Sequence, residues 1–169
     1  MPLDKTALLN FLEELNNELG RKITFIAVGG TAMTLLDLRP STIDIDFTIP
    51  SSDFPEYKRA EKNVPHGYKI DVYQDGCIFS QNLPDDYLTN SIEIANLERI
   101  SLRALHPVDI VATKIVRLND RDLEDIGKCI EGYGLKKEQI ENRAANVAYI
   151  GKQEYYDHNL KCVLKKFFR

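Results

Sequence analysis

The amino-acid sequence predicts an α+β fold of mixed α/β character: a mixed β-sheet with helices packed on it, followed by a C-terminal helical segment. Three observations predict it. Short runs rich in β-branched and aromatic residues stand at 22–28, 43–49 and 68–74, bounded by glycine, proline and turn dipeptides. A leucine-rich stretch at helical spacing precedes them. Beyond Pro107 the apolar residues keep helical spacing to the end. The chain has 169 residues, 43% of them hydrophobic, which is enough to bury a core.

The elements follow in order. Leu8, Leu12, Leu15 and Leu19 recur with Phe11 beside them, so residues 4–19 are expected to be a helix. Asp4 is its expected N-cap and Gly20 its stop. Residues 22–28 form a buried strand that Gly29 and Gly30 break, and 31–38 read as a short helix. Arg39, Pro40 and Ser41 make a loop. Residues 43–49 alternate strictly as a strand and end at Pro50. Residues 52–62 are a charged helix. Residues 68–74 alternate again and close on Asp75 and Gly76, a turn pair. Residues 77–90 fit either a strand pair or a long loop. Two strands are expected within 91–105. Pro107 suits the first position of a helix, and helices are expected near 107–118, 120–132, 136–149 and 153–167. The expected division is a core over 1–106 and a helical region over 107–169, packed on that core.

The chemistry concentrates in Thr42-Ile43-Asp44-Ile45-Asp46-Phe47. Alternate side chains of a strand share a face. Thr42, Asp44 and Asp46 are therefore expected on one side, with Ile43, Ile45 and Phe47 in the core. The two carboxylates then stand roughly 6–7 Å apart along the strand. Like charges this close call for a positive partner. A hard, oxygen-only site suits magnesium or manganese. On the later strand Ile70 and Val72 are expected inward, which turns Lys69, Asp71 and Tyr73 outward. If the two strands are neighbours, Asp71 joins Asp44 and Asp46. Three such carboxylates can hold two metal ions about 4 Å apart, as in-line phosphoryl or nucleotidyl transfer requires.

Gly29, Gly30 and Thr31 lie where a strand meets a helix. Paired glycines let backbone approach a ligand closely, and N–H groups at a helix start favour an anion. The Thr31 hydroxyl is a further candidate phosphate donor. A glycine pair alone is commonly just a turn, and an Asp-x-Asp pair alone commonly a solvated face. The inference rests on their conjunction and order.

This conjunction resembles the DNA polymerase β-like nucleotidyltransferase superfamily: strand, Gly29-Gly30-Thr31, helix, Arg39-x-x-Thr42-x-Asp44-x-Asp46, then Ile70-Asp71-Val72. Within it, the Arg-x-x-Thr-x-Asp-x-Asp pattern looks like the minimal, toxin–antitoxin-type (AbiEii/MenT-like) branch. Lys114, followed by Arg117, Arg121, Asp122 and Asp125, extends the likeness, which covers about residues 22–126. The resemblance implies an NTP donor, two magnesium or manganese ions held by Asp44, Asp46 and Asp71, and Asp71 as general base. It implies nucleotide binding by Gly29, Gly30, Thr31, Arg39, Thr42, Lys114 and Arg117. The resemblance does not identify the acceptor: relatives modify tRNA ends, partner proteins, antibiotics or themselves, and a tRNA end or a partner protein is the acceptor to consider. A catalytically silent nucleotide- or protein-binding module, such as one half of a toxin–antitoxin pair, is the alternative. A sugar-nucleotide glycosyltransferase fits less well, because doubly wound strand–helix alternation is missing.

The rest of the sequence sets limits. Formal net charge is −4, which disfavours an extended nucleic-acid groove. Cys77, Cys129 and Cys162 are odd in number and show no CxxC spacing, so no disulfide framework or zinc site is expected. His66, His106 and His158 are scattered and are expected in loop or capping positions. Lys161, Lys165, Lys166 and Arg169 make a basic end that suits a helix C-terminus. Tyr149, Tyr155 and Tyr156 are expected mostly in the core. No apolar run is long enough to span a bilayer and the start lacks a signal-peptide pattern, so no membrane partner and a cytoplasmic location are expected.

Overall fold

A computed structural model describes residues 2–169. Along the chain run α1 (Lys5–Glu18), β1 (Ile23–Ala27), α2 (Gly29–Leu35), β2 (Ile45–Ile49), a 3-10 turn (Ser51–Asp53), α3 (Phe54–Glu61), β3 (Ile70–Gln74), β4 (Cys77–Ile78), β5 (Gln81–Asn82), α4 (Tyr87–Asn90), β6 (Ile92–Asn96), β7 (Ile100–Ala104), α5 (Pro107–Lys114), α6 (Asp120–Tyr133), α7 (Lys137–Asn146), β8 (Ala148–Tyr149) and α8 (Gln153–Phe167). They form two compact units: residues 1–76 with 91–105, and residues 77–90 with 106–169.

The first unit is a five-stranded sheet in the order β3-β2-β1-β7-β6. It is mixed: β1 runs parallel to β7 and antiparallel to β2, while β2 runs parallel to β3. Helix α1 starts where Asp4 accepts from the Ala7 N–H at 2.8 Å, an N-cap that satisfies one of its free donors. It buries Leu8, Phe11, Leu12 and Leu15. The aromatic heart is edge-on packing of Phe25 against Phe47 and Tyr57, with centroids 5.6 and 6.0 Å apart. Helix α2 contributes the buried Ala32, Met33 and Leu35. Asp75 and Gly76, at φ 54° and 75°, close β3 in the left-handed turn their residue types predict.

Three expectations change here. Strand β2 begins at Ile45, not at residue 43, because residues 43 and 44 form a bend. Ile43 therefore leaves the core and is 59% exposed. Thr42 bridges to Leu3 instead, with reciprocal backbone bonds of 2.7 and 2.9 Å. Helix α2 begins at Gly29, within the glycine pair, and stops at Leu35. Ile70 and Val72 are only half-buried, because β3 is the edge strand and has no neighbour on its outer side.

The second unit gathers α4, α5, α6, α7 and α8 with the small sheet β4-β5-β8. Residues 77–90 thus contain a two-stranded ribbon and a helical turn. His106 caps α5 by accepting the Val108 N–H at 3.0 Å, just ahead of Pro107. Tyr156, 2% exposed, donates to the Ala112 carbonyl at 2.7 Å, so α8 is bonded to α5. Asn159 donates to the Ile115 carbonyl at 2.9 Å beside it. Tyr155, by contrast, is 63% exposed. The three cysteines carry no disulfide, and Cys129 is buried. Among the described residues no helix is long and apolar enough to cross a membrane.

Candidate active site

The register of the parallel pair β2–β3 sets Asp46 opposite Asp71. Residues in register on parallel strands point to the same side, so both carboxylates share one face. The Ile45 N–H donates to the Lys69 carbonyl at 2.9 Å, which opens the pairing at Ile45 and Ile70. Asp44 leads into this face, with its side chain 41% exposed, and Asp71 is 42% exposed. The three acidic residues named from sequence therefore belong to one sheet edge.

The segment that carries them is braced from below. The Thr42 hydroxyl donates to the Asp44 carbonyl at 2.9 Å and the Thr31 hydroxyl donates to the same oxygen at 3.1 Å. The Thr31 oxygen also accepts the Asp46 N–H at 2.9 Å. Thr31 is fully buried. Its hydroxyl is bonded to the Asp44–Asp46 backbone, once as donor and once as acceptor. The Val28 N–H donates to the Asp46 carbonyl at 3.1 Å, which ties the glycine turn to the same segment.

The glycines have distinct physical reasons. Gly29 sits at φ 54°, a left-handed conformation that side chains resist. Gly30 is required by proximity: a Cβ there would stand 2.5 Å from Arg39 Nη1 and 3.0 Å from Thr42 Oγ1. Arg39, Thr42 and the glycine pair, named separately from sequence, thus meet at one place. No side chain caps the start of α2.

Two residues absent from the sequence-based site belong to this face. Lys69 Nζ lies 3.8 Å from Asp44 Oδ2 and 3.6 Å from Asp71 Oδ2. The Tyr73 phenol is pushed up to about 12 by burial and then by the charges of Asp46, Asp71 and Asp44. Alternation already put both on the side of Asp71, but only the register with β2 brings them to Asp44 and Asp46. Among the described residues, no three His, Cys, Asp or Glu side chains are gathered closely enough to hold a metal ion as they stand. The donor set nonetheless fits a hard divalent cation: its ligands are carboxylate oxygens on one face, and they already hold a cation between two of them.

Lys114 and Arg117 lie in the second unit. Lys114 Nζ is 3.0 Å from Asp125 Oδ2 and 3.5 Å from Asp122 Oδ1. Arg117 grips Asp122 with two bonds of 2.8 Å while its side chain stays 68% exposed. Burial pushes the Asp122 carboxyl up, but Arg117, Lys114 and the Asn119 N–H outweigh it and hold it below its usual range. Lys114 and Arg117 do not lie on one continuous helix, and the helix expected near 107–118 is shorter. Helix α5 ends at Lys114, Leu118 turns left-handed at φ 47°, and Asn119 starts α6 with a capping box to Asp122.

The family model for nucleotidyltransferases of unknown function (DUF6036) matches residues 6–168, and the chain belongs to that family. The fold is similar to the solution structure of antibiotic-resistance factor ANT(2'')-Ia, with a TM-score of 0.55 and 13% sequence identity. That match covers 83% of this chain and 91% of the other. No curated protein matches the sequence. The fold expected from sequence and its nucleotidyltransferase character both hold.

Proposed function

We propose that this nucleotidyltransferase moves an NMP from an NTP to an acceptor hydroxyl and releases pyrophosphate, with Asp44, Asp46 and Asp71 as its metal-holding carboxylates. The observation that carries the reading is the register of Asp46 against Asp71, with Asp44 on the approach to the same face. Two magnesium or manganese ions bound there would supply Lewis-acid stabilisation of the reacting phosphate and the leaving pyrophosphate. Asp71 takes the proton of the acceptor hydroxyl. Gly29 and Gly30 admit the phosphates to the backbone, and Arg39, packed over Gly30 beside Thr42, supplies a charged fork for them. Thr31 and Thr42 hold Asp44 and Asp46 in place. Lys114 and Arg117 complete the proposed NTP contacts, as the resemblance implies.

The acceptor follows from the narrower likeness. The Arg39-x-x-Thr42-x-Asp44-x-Asp46 pattern of the AbiEii/MenT-like branch favours a tRNA end or a partner protein. The fold shared with an antibiotic-resistance factor adds antibiotics to the acceptors worth offering. The test is pyrophosphate release from each NTP with magnesium, in the presence of tRNA, protein extract or antibiotic. Wild type should release pyrophosphate with one acceptor class. Asp46→Asn and Asp71→Asn should each lower the rate by at least ~10²-fold with unchanged melting temperature. NTP binding without pyrophosphate release under any condition would instead support the silent binding module.

A further inference from the structure

We propose that Lys69 is the resident counter-ion of the carboxylate face and must leave it for a divalent cation to bind; this rests on the metal-holding role proposed for Asp44, Asp46 and Asp71. The argument starts from register. Ile45 pairs with Ile70 and Asp46 with Asp71, and the Ile45 N–H is bonded to the Lys69 carbonyl at 2.9 Å. Lys69 and Asp44 are the residues just before that first pair, and the Lys69 ammonium lies 3.8 Å from Asp44 Oδ2. An opposite-charge contact, Lys69 with Asp44, thus lies beside a like-charge pair in register, Asp46 with Asp71. Like charges directly opposite on neighbouring strands destabilise a sheet, and opposite charges support it.

Position favours this role over that of an ordinary surface lysine. The ammonium is shared, at 3.8 Å from Asp44 and 3.6 Å from Asp71, and not docked on one carboxylate. It occupies the space between two of the three oxygen donors that a metal ion would need. Its side chain is 68% exposed, so it can swing into water without unpacking the core. A divalent ion brings two charges where lysine brings one, so exchange is favoured electrostatically once the ion is present. Lys69 is thus a positioning residue. It offsets the repulsion among the carboxylates and sets how tightly metal is held.

The test is manganese binding by electron paramagnetic resonance and calorimetry, without nucleotide, together with melting in EDTA. Lys69→Met should bind Mn²⁺ roughly tenfold more tightly than wild type and melt lower in EDTA. Added Mn²⁺ should raise its melting temperature more than that of wild type. Lys69→Arg should restore the wild-type affinity. The gain should shrink as salt rises, because the competition is between charges near water. Lys58→Met, whose lysine pairs with Glu61 at 3.3 Å instead, should leave Mn²⁺ affinity unchanged and so controls for net charge. If wild type binds Mn²⁺, Asp46→Asn does not, and Lys69→Met matches wild type, the Lys69 role is overturned while the metal site stands. If wild type binds no Mn²⁺ at all, the metal-holding reading fails and the Lys69 role with it.

Discussion

Gly30 and Thr31 are adjacent in sequence and support the carboxylate face in different ways. Gly30 leaves room for the end of the Arg39 side chain. In Gly30→Ala the flexible end of Arg39 must move aside and the Thr42 hydroxyl, bonded to the Asp44 carbonyl, must give by a few tenths of an ångström. The expected outcome is a slightly lowered melting temperature, with NTP affinity weakened because the guanidinium is displaced. Calorimetry with NTP beside a thermal melt checks both. Thr31→Val removes the acceptor of the Asp46 N–H and one donor to the Asp44 carbonyl, at a fully buried position. A stability loss of about 1–3 kcal/mol is expected from urea unfolding. The sequence shows both residues as parts of a glycine turn. It does not show that one is a spacer and the other a brace, because that depends on which backbone lies across from α2.

At the scale of elements, the junction between α5 and α6 concentrates buried charge. Asp122 is 1% exposed, serves the capping box of α6, and receives Arg117 and Lys114. Asn119→Ala is expected to cost about 1 kcal/mol through loss of the cap. Asp122→Asn removes the charge that Arg117 grips and the farther of Lys114's two carboxylates, leaving Asp125 at 3.0 Å, and should cost about 1–3 kcal/mol at neutral pH by urea unfolding. The same carboxyl predicts a pH dependence. Its folded pKa is lowered, so its contribution is present above the unfolded value near 3.9 and is lost as pH falls through the lower folded value. Wild type should therefore lose its advantage over Asp122→Asn below about pH 4, read from unfolding curves at stepped pH. The helices expected near 107–118 and 120–132 leave a break at residue 119. Asn119 is a strong N-cap residue and starts α6 there. Similarly, alternation in 43–49 fixed β2 correctly from Ile45 onward and failed at Ile43, where the bridge between Leu3 and Thr42 bends the chain.

For the whole molecule, the net charge of −4 sets a limit on partners. Non-specific RNA binding is expected to be weak, with a Kd on the order of 10⁻⁴ M or weaker at physiological salt and a shallow salt slope. Fluorescence anisotropy across a salt series checks this, and a steep slope would mean a basic surface the composition hides. The sequence by itself determined the order of the longer helices and strands and the α+β class, and marked Asp44, Asp46 and Asp71 as candidates; it left residues 77–90 open and read helix where β8 stands. The features it determined are written in local periods, caps and turn residues that act within a few positions. It could not determine that β2 and β3 are parallel neighbours, that Asp46 meets Asp71, or that Lys69 falls between Asp44 and Asp71. Only the tertiary structure decided these, because strand pairing and register arise between segments more than twenty residues apart and leave no local mark.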